Sequence, residues 1–176
     1  MKNVNLLFLL FGLLLTQSAF GQKPPESEQE FEAAYQKRIK KERLNGVYIP
    51  KDIPDALIEL NRLVDASSKA KFKQMTEEAA TKKLFFSFGR WITHNWGFYG
   101  GSRLSSHLAQ FGVTYPDDMA RLIILSFHRS LNKRPIQFKQ EVEKMKNARL
   151  EAYEKERRSG EVIKTYKVAK DSTENN

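Results

Sequence analysis

Apolar residues fall along this chain in helical rather than alternating periods, and capping residues, glycine and proline mark the breaks between them. From Glu30 onward Phe31, Tyr35 and Ile39 recur at every fourth position amid dense charge, which predicts a charged helix ending near Asn45 and Gly46. Residues 47–50 read as extended, because a residue before proline is driven out of the helical region. Asp52 is placed as an N-cap with Asp55 three residues on, and Ala56, Leu57, Leu60, Leu63 and Val64 then form an apolar face over about three turns. Residues 65–68 interrupt this pattern, residues 69–75 predict a short basic helix, and Thr76 with Glu77 and Glu78 opens a further helix running to about Asn95. Gly97, Gly100 and Gly101 break it before Ser102 caps a short helix that ends at Gly112. Pro116, Asp117 and Asp118 start the next helix, with Met119, Ile123, Phe127 and Leu131 close to one face and an end near Asn132. Beyond Pro135, residues 137–159 predict a long helix on the stripe Phe138, Val142, Met145 and Ala152, which Gly160 stops. In the polar tail that follows, residues 162–168 could form a short strand.

These elements predict an all-α fold: a small compact helical domain of about four to five helices at residues 47–134, with charged helical extensions at both ends. A polar leader and charged helix at residues 22–46 precede it. A long amphipathic helix at 135–160 and a polar tail at 161–176 follow. Residues 1–21 carry Lys2, an apolar run over residues 4–15 and the small-residue pattern Ala19, Phe20, Gly21, which reads as a secretory signal peptide cleaved before Gln22. That run is short of the roughly 20 residues a spanning helix needs, so no membrane span is expected after cleavage. The chain has no cysteine, which excludes lipid attachment at the cleavage point, a disulfide framework and thiolate metal sites. The expected location is periplasmic or secreted.

Charge changes this picture only slightly. The formal net charge of +9 becomes +8 once Lys2 leaves with the signal, a surplus that suits nucleic acid, anionic lipid or acidic partners. The basic residues are interleaved with acids rather than blocked, which is the pattern of a solvated mixed-charge surface. Export argues against nucleic acid, and so does the helix beginning at Pro116, because Asp117 and Asp118 at its start would repel phosphates.

The most specific segment is residues 85–104, FFSFGRWITHNWGFYGGSRL, which holds both tryptophans. At about 100° per residue from Leu84, one arc gathers Phe85, Phe88, Trp91, Ile92 and Trp96 with Asn95 in its middle, and Ser87, Arg90 and His94 fall opposite. The arc is expected in the core, with the Asn95 amide bonded to the glycine loop that follows. That loop admits two readings. Glycines let backbone amides converge, Ser102 starts a helix, and Arg103 offers a bidentate partner, so Gly100, Gly101, Ser102 and Arg103 could hold a small anion. The plainer reading is a tight turn between helices with Arg103 paired to a surface acid.

No established chemistry is spelled out. His94, His107 and His128 have no HExxH or HxH spacing, so no metal and no cofactor is expected. Ser102 lacks a GxSxG context, Glu77 and Glu78 look like acids at a helix start, and there is no phosphate loop. No catalytic residue is assigned.

Taken together, VYIPKDIPDALIELNRL, FGRWITHNWGFYGGSRL and YPDDMARLIILSFHRSLN, in this order, resemble an uncharacterised bacterial domain family. The resemblance covers residues 47–134. Its most specific positions are Trp96, Gly97, Gly100, Gly101, Ser102, Arg103 and Leu104, then Tyr115, Pro116, Asp117, Asp118 and Met119. It implies a domain boundary and supplies no catalytic residues. The expectation for function is an exported binding or protein-interaction module whose contact surface is built from Arg90, His94, Ser102 and Arg103 with Trp96 and Tyr99. The alternatives are a periplasmic inhibitor or immunity-like protein, and a small-ligand or metal-dependent enzyme built on a pocket at the glycine loop. Exposure of Trp91, Trp96, Phe98 and Tyr99 separates these readings: if all four are buried, the contact surface must lie on the flanking charged helices.

Overall fold

The computed structural model describes residues 27–159, most of them helical. The expected signal peptide, the tail at 161–176 and the strand at 162–168 lie outside the described residues. The chain divides into two units, Met1–Gln36 and Lys37–Asn176. Of the first unit, the described residues belong almost entirely to helix α1, Glu28–Arg38, which crosses the boundary and buries no side chain. Ser27 Oγ accepts the Glu30 N–H at 3.2 Å and begins it.

The second unit opens with a two-stranded antiparallel hairpin, β1 (Arg43–Leu44) and β2 (Val47–Tyr48). Asn45 (φ 50°) and Gly46 (φ 80°) form its turn. The first helix therefore ends at Arg38, not near Gly46, because Asn-Gly accepts two successive left-handed residues and matches the twist of paired strands. Helix α2 (Ile53–Leu63) follows, capped as expected by the Asp52 carboxylate on the Asp55 N–H. Asp65 does not simply interrupt the chain; it caps helix α3 (Ala66–Lys73) by accepting the Ser68 N–H. Thr76 caps helix α4 (Glu77–Lys83).

The expected continuous helix to Asn95 is divided. After α4 comes a π turn over Phe85–Gly89, then helix α5 (Arg90–Asn95). Helix α6 (Arg103–Gln110) starts at Ser102, and helix α7 (Pro116–Leu131) has proline in its first turn. Helix α8 (Phe138–Ser159) is the long one. Among the described residues six α-helices and the π turn lie between residues 47 and 134, more than the expected four to five, since the 76–95 run changes its hydrogen-bond register partway.

Helix α7 sits at the centre. Ten of its residues are buried, and the stretch from Leu122 to Arg129 is buried without a break, so that part of the helix gives no face to water. Ile53, Ala56 and Leu60 of α2, Phe72 of α3, Ala80 of α4, Phe85, Ile92 and Trp96 beyond it, Leu104 and Leu108 of α6 and Val142 of α8 share one core with it.

The last turn of α7 carries a buried charge. Arg129 is 7% exposed and its guanidinium donates to Glu77 at 2.9 and 2.8 Å, to Glu141 at 3.1 Å and to the Ile136 carbonyl at 2.7 Å. Arg134 and Lys144 complete the network from its rim. One cation thereby ties α4 and the start of α8 to the central helix. The hydrogen bond from Arg129 holds the Glu77 carboxyl below its ordinary range, and the same bond raises Arg129.

A depressed Glu77 adds stability that is present above its ordinary value of about 4.3 and is lost as pH falls through its folded value. Urea unfolding from pH 7 downward should therefore show a midpoint that drops below about pH 4.3, with a smaller drop in Glu77→Gln. Arg129→Met should cost about 3 to 5 kcal/mol at pH 7, because it strands two acids, and adding Glu141→Leu should recover part of that loss.

Candidate functional site: the Trp91 groove

The π turn decides which side chains of α5 reach solvent. Gly89 N–H donates to the Leu84 carbonyl at 3.0 Å, and Arg90 N–H donates to Phe85. Each bond spans five residues, one more than an α turn, so everything after it lags about one position around the helix axis. Thr93 thus enters the core at 3% exposure, whereas Trp91 reaches the edge at 38% and Asn95 is half-buried. The 100° spacing places both on the core arc, with Asn95 in its middle. Asn95 Nδ2 donates to the Trp91 carbonyl at 2.8 Å, on its own helix rather than to the glycine loop.

Trp91 is held from two sides. Phe88 stacks on it with centroids 6.5 Å apart, and Trp96 meets it edge-on at 6.1 Å. Its free face lines a groove of about 640 Å³ between the hairpin, α2 and α5. Ile58 (70% exposed) and Leu63 form apolar parts of the wall.

The polar parts are mostly paired. Tyr48 Oη donates to Asp55 Oδ2 at 2.8 Å, which pushes the phenol above its ordinary value, and Asp55 also accepts the Lys51 N–H at 2.9 Å. Arg62 holds Glu59 through two bonds of 2.9 and 2.7 Å, which lowers that carboxyl. Arg43 donates to the Gly46 carbonyl and lies 6.0 Å from the Tyr48 ring centre, with no carboxylate in ion-pair contact among the described residues. The groove therefore joins a fixed indole, aliphatic side chains and an arginine, Arg43, that makes no ion-pair contact among the described residues.

The expected contact residues separate. Arg90 and His94 are exposed on α5, and Tyr99 (74% exposed) and Gly100 are exposed on the loop. Tyr99 Oη donates to Asp117 Oδ1 at 3.3 Å. Trp96 and Ser102 have no exposed surface and Gly101 is buried, so none of the three can touch a partner from where it sits. Ser102 is spent as a cap: its hydroxyl accepts the Ser105 N–H at 3.3 Å while Ser105 Oγ accepts the Ser102 N–H at 2.8 Å.

The same geometry puts an arginine of this chain on the glycine loop. Arg38 donates to the Gly101 carbonyl at 2.7 Å and lies over Gly97 and Gly100, where added Cβ atoms would meet its guanidinium at 2.9 and 3.3 Å. The glycines make room for an arginine of this chain. Arg103 is not a free fork either, since its Nε donates to the Ile49 carbonyl at 2.5 Å, its guanidinium lies 5.0 Å from the Tyr48 ring centre, and Asp55 is 3.9 Å away. It braces the hairpin against α6.

The histidines are dispersed. His107 packs edge-on against Phe111, and His128 is buried with Nε2 2.9 Å from the Met75 carbonyl. Among the described residues no group of three or more His, Asp or Glu side chains is arranged to hold a metal.

Residues 49–131 match the model of a family described as a domain of unknown function, DUF6794. These residues are similar to that uncharacterised family, over just under half of the chain. No curated protein matches the chain, and no solved structure matches it. The DUF6794 stretch contains α2, the π turn and α5, hence Asp55, Glu59, Arg62, Trp91 and Asn95, whereas Arg43 and Tyr48 of the groove lie just before it. Sequence reasoning missed Arg43, Tyr48 and Arg38, although the Asn45-Gly46 pair was a signal for the hairpin that presents the first two.

Arg103→Ala should destabilise the DUF6794 domain by about 1.5 to 3 kcal/mol in denaturant unfolding, the range for losing a hydrogen bond to a charged group. Gly97→Ala should also destabilise it, because a Cβ at φ +65° strains the backbone and lies 2.9 Å from Arg38.

Proposed function

We propose that this chain is an exported, non-catalytic binding module that engages a protein partner through the Trp91 groove. The observation that carries the reading is Trp91 itself: a half-exposed indole fixed between Phe88 and Trp96, with Ile58, Leu63 and Arg43 around it. Tryptophan, tyrosine and arginine dominate binding energy where they sit in preformed recesses, because little side-chain entropy remains to be lost. Trp91 and Tyr99 are both exposed, so the contact surface stays in the helical domain and does not move to the flanking helices. It shifts, however, from the glycine loop to the hairpin side of α5.

Export rests on Lys2, the apolar run at residues 4–15 and the Ala19, Phe20, Gly21 pattern. Among the described residues no helix is long and apolar enough to cross a membrane.

Affinity capture from the secreted and periplasmic fractions, followed by reconstitution of the purified pair, tests the assignment. Ile58→Glu and Trp91→Ala should each weaken the complex by at least tenfold, and Ile58→Glu should leave the melting temperature within a few degrees because Ile58 is exposed. Loss of binding in Arg90→Glu and His94→Ala with full retention in Ile58→Glu and Trp91→Ala would move the contact to the opposite side of α5.

A further inference from the structure

Phe88, which stacks on Trp91, also lines a second recess, of about 440 Å³, between the end of α2, α3 and α7. Its floor is aromatic: Phe72 stacks on Phe127 with centroids 5.7 Å apart and meets Phe88 edge-on at 6.4 Å. Val64, Met75 and Leu84 extend the apolar lining. The volume is within the range of small-ligand pockets, and so is the composition, an apolar body with few polar groups at the edge.

Charge at the mouth selects the ligand. Asp65 and Lys71 both line it. The Asp65 carboxylate is committed, accepting the Ser68 N–H at 2.9 Å as the cap of α3, and the partial positive charge of that helix start offsets it. The Lys71 ammonium has no partner among the described residues. One uncommitted charge is left at the rim, and it is positive.

We infer that this recess binds a small anionic amphiphile, a monocarboxylate with an aliphatic chain. The chain lies on Phe72, Phe88 and Phe127, and the carboxylate pairs with Lys71. This site is separate from the Trp91 groove, but Phe88 of its lining stacks on Trp91 with ring centres 6.5 Å apart, so an occupant would be felt by the indole.

The experiment is a calorimetric titration of the whole chain with sodium decanoate below its micelle concentration, followed in parallel by tryptophan emission. Decan-1-ol and decyltrimethylammonium serve as neutral and cationic matches. The expected result is saturable one-to-one binding of decanoate with a change in emission, and an affinity about three- to tenfold above that of the cation. Lys71→Gln should bring decanoate down to the level of decan-1-ol and leave decan-1-ol unchanged. Met75→Trp, which fills the recess, should abolish binding of all three in a protein whose circular dichroism still shows the wild-type fold. Absence of saturable decanoate binding would overturn the proposal, and so would equal binding of the cation or indifference to Lys71→Gln.

Discussion

The burial of helix α7 on every side is the constraint that the rest of this structure answers to. A helix with Leu122, Ile123, Ile124, Leu125 and Phe127 in sequence has no orientation in which one face can remain in water, so other elements must surround it. The polar groups drawn in with it must then be satisfied in place. Arg129 is the extreme case, and its pairing with Glu77 and Glu141 is why α4 and the start of α8 meet at the last turn of α7. His128 makes a milder version of the same demand, meeting the Met75 carbonyl through Nε2 while Nδ1 has no partner among the described residues.

Packing against α7 also shapes the surface. A Cβ at Gly89 would come within 3.0 Å of Phe85 in its own turn and 3.4 Å of Ile124, so the turn leaves little room for a side chain where it packs on the central helix. The extra residue in that turn rotates α5, takes Thr93 inward and leaves Trp91 facing a groove. Phe88, one residue before the glycine, lines one recess and stacks on the indole that lines the other. The exposure of Trp91 and the burial of Thr93 thus follow from one local change in helix register.

The glycine loop illustrates how one residue pattern serves opposite ends. Gly97, Gly100 and Gly101 beside Ser102 and Arg103 have the composition of an anion cradle, yet here the loop receives a cation of the same chain. Arg38 bonds a carbonyl, Ser102 closes a reciprocal cap with Ser105, and Arg103 reaches back to the Ile49 carbonyl. Close approach of a guanidinium to the backbone requires missing side chains just as close approach of a phosphate does. Composition alone does not distinguish the two.

Local signals were legible along most of the chain. Asp52, Thr76 and Ser102 cap the helices that they precede, Pro116 sits in the first turn of α7, and Gly112 adopts a left-handed conformation after α6, because capping depends on residues within one turn of each other. The helical class and the uncharacterised family were legible for the same reason, being carried by short motifs and periodicity. The Asn45-Gly46 hairpin was equally local and was hidden only by the charge that continues past Arg38. What the sequence by itself could not determine was the phase of α5. A π turn and an α turn differ by one residue in the ring that each hydrogen bond closes, and the local sequence fits either, whereas the packed domain holds the π form with Gly89 against Ile124 of the central helix. Tertiary packing alone therefore decided that Trp91 and Asn95 face a groove, that Trp96 and Ser102 are enclosed, and that Arg38 rather than a ligand fills the glycine loop.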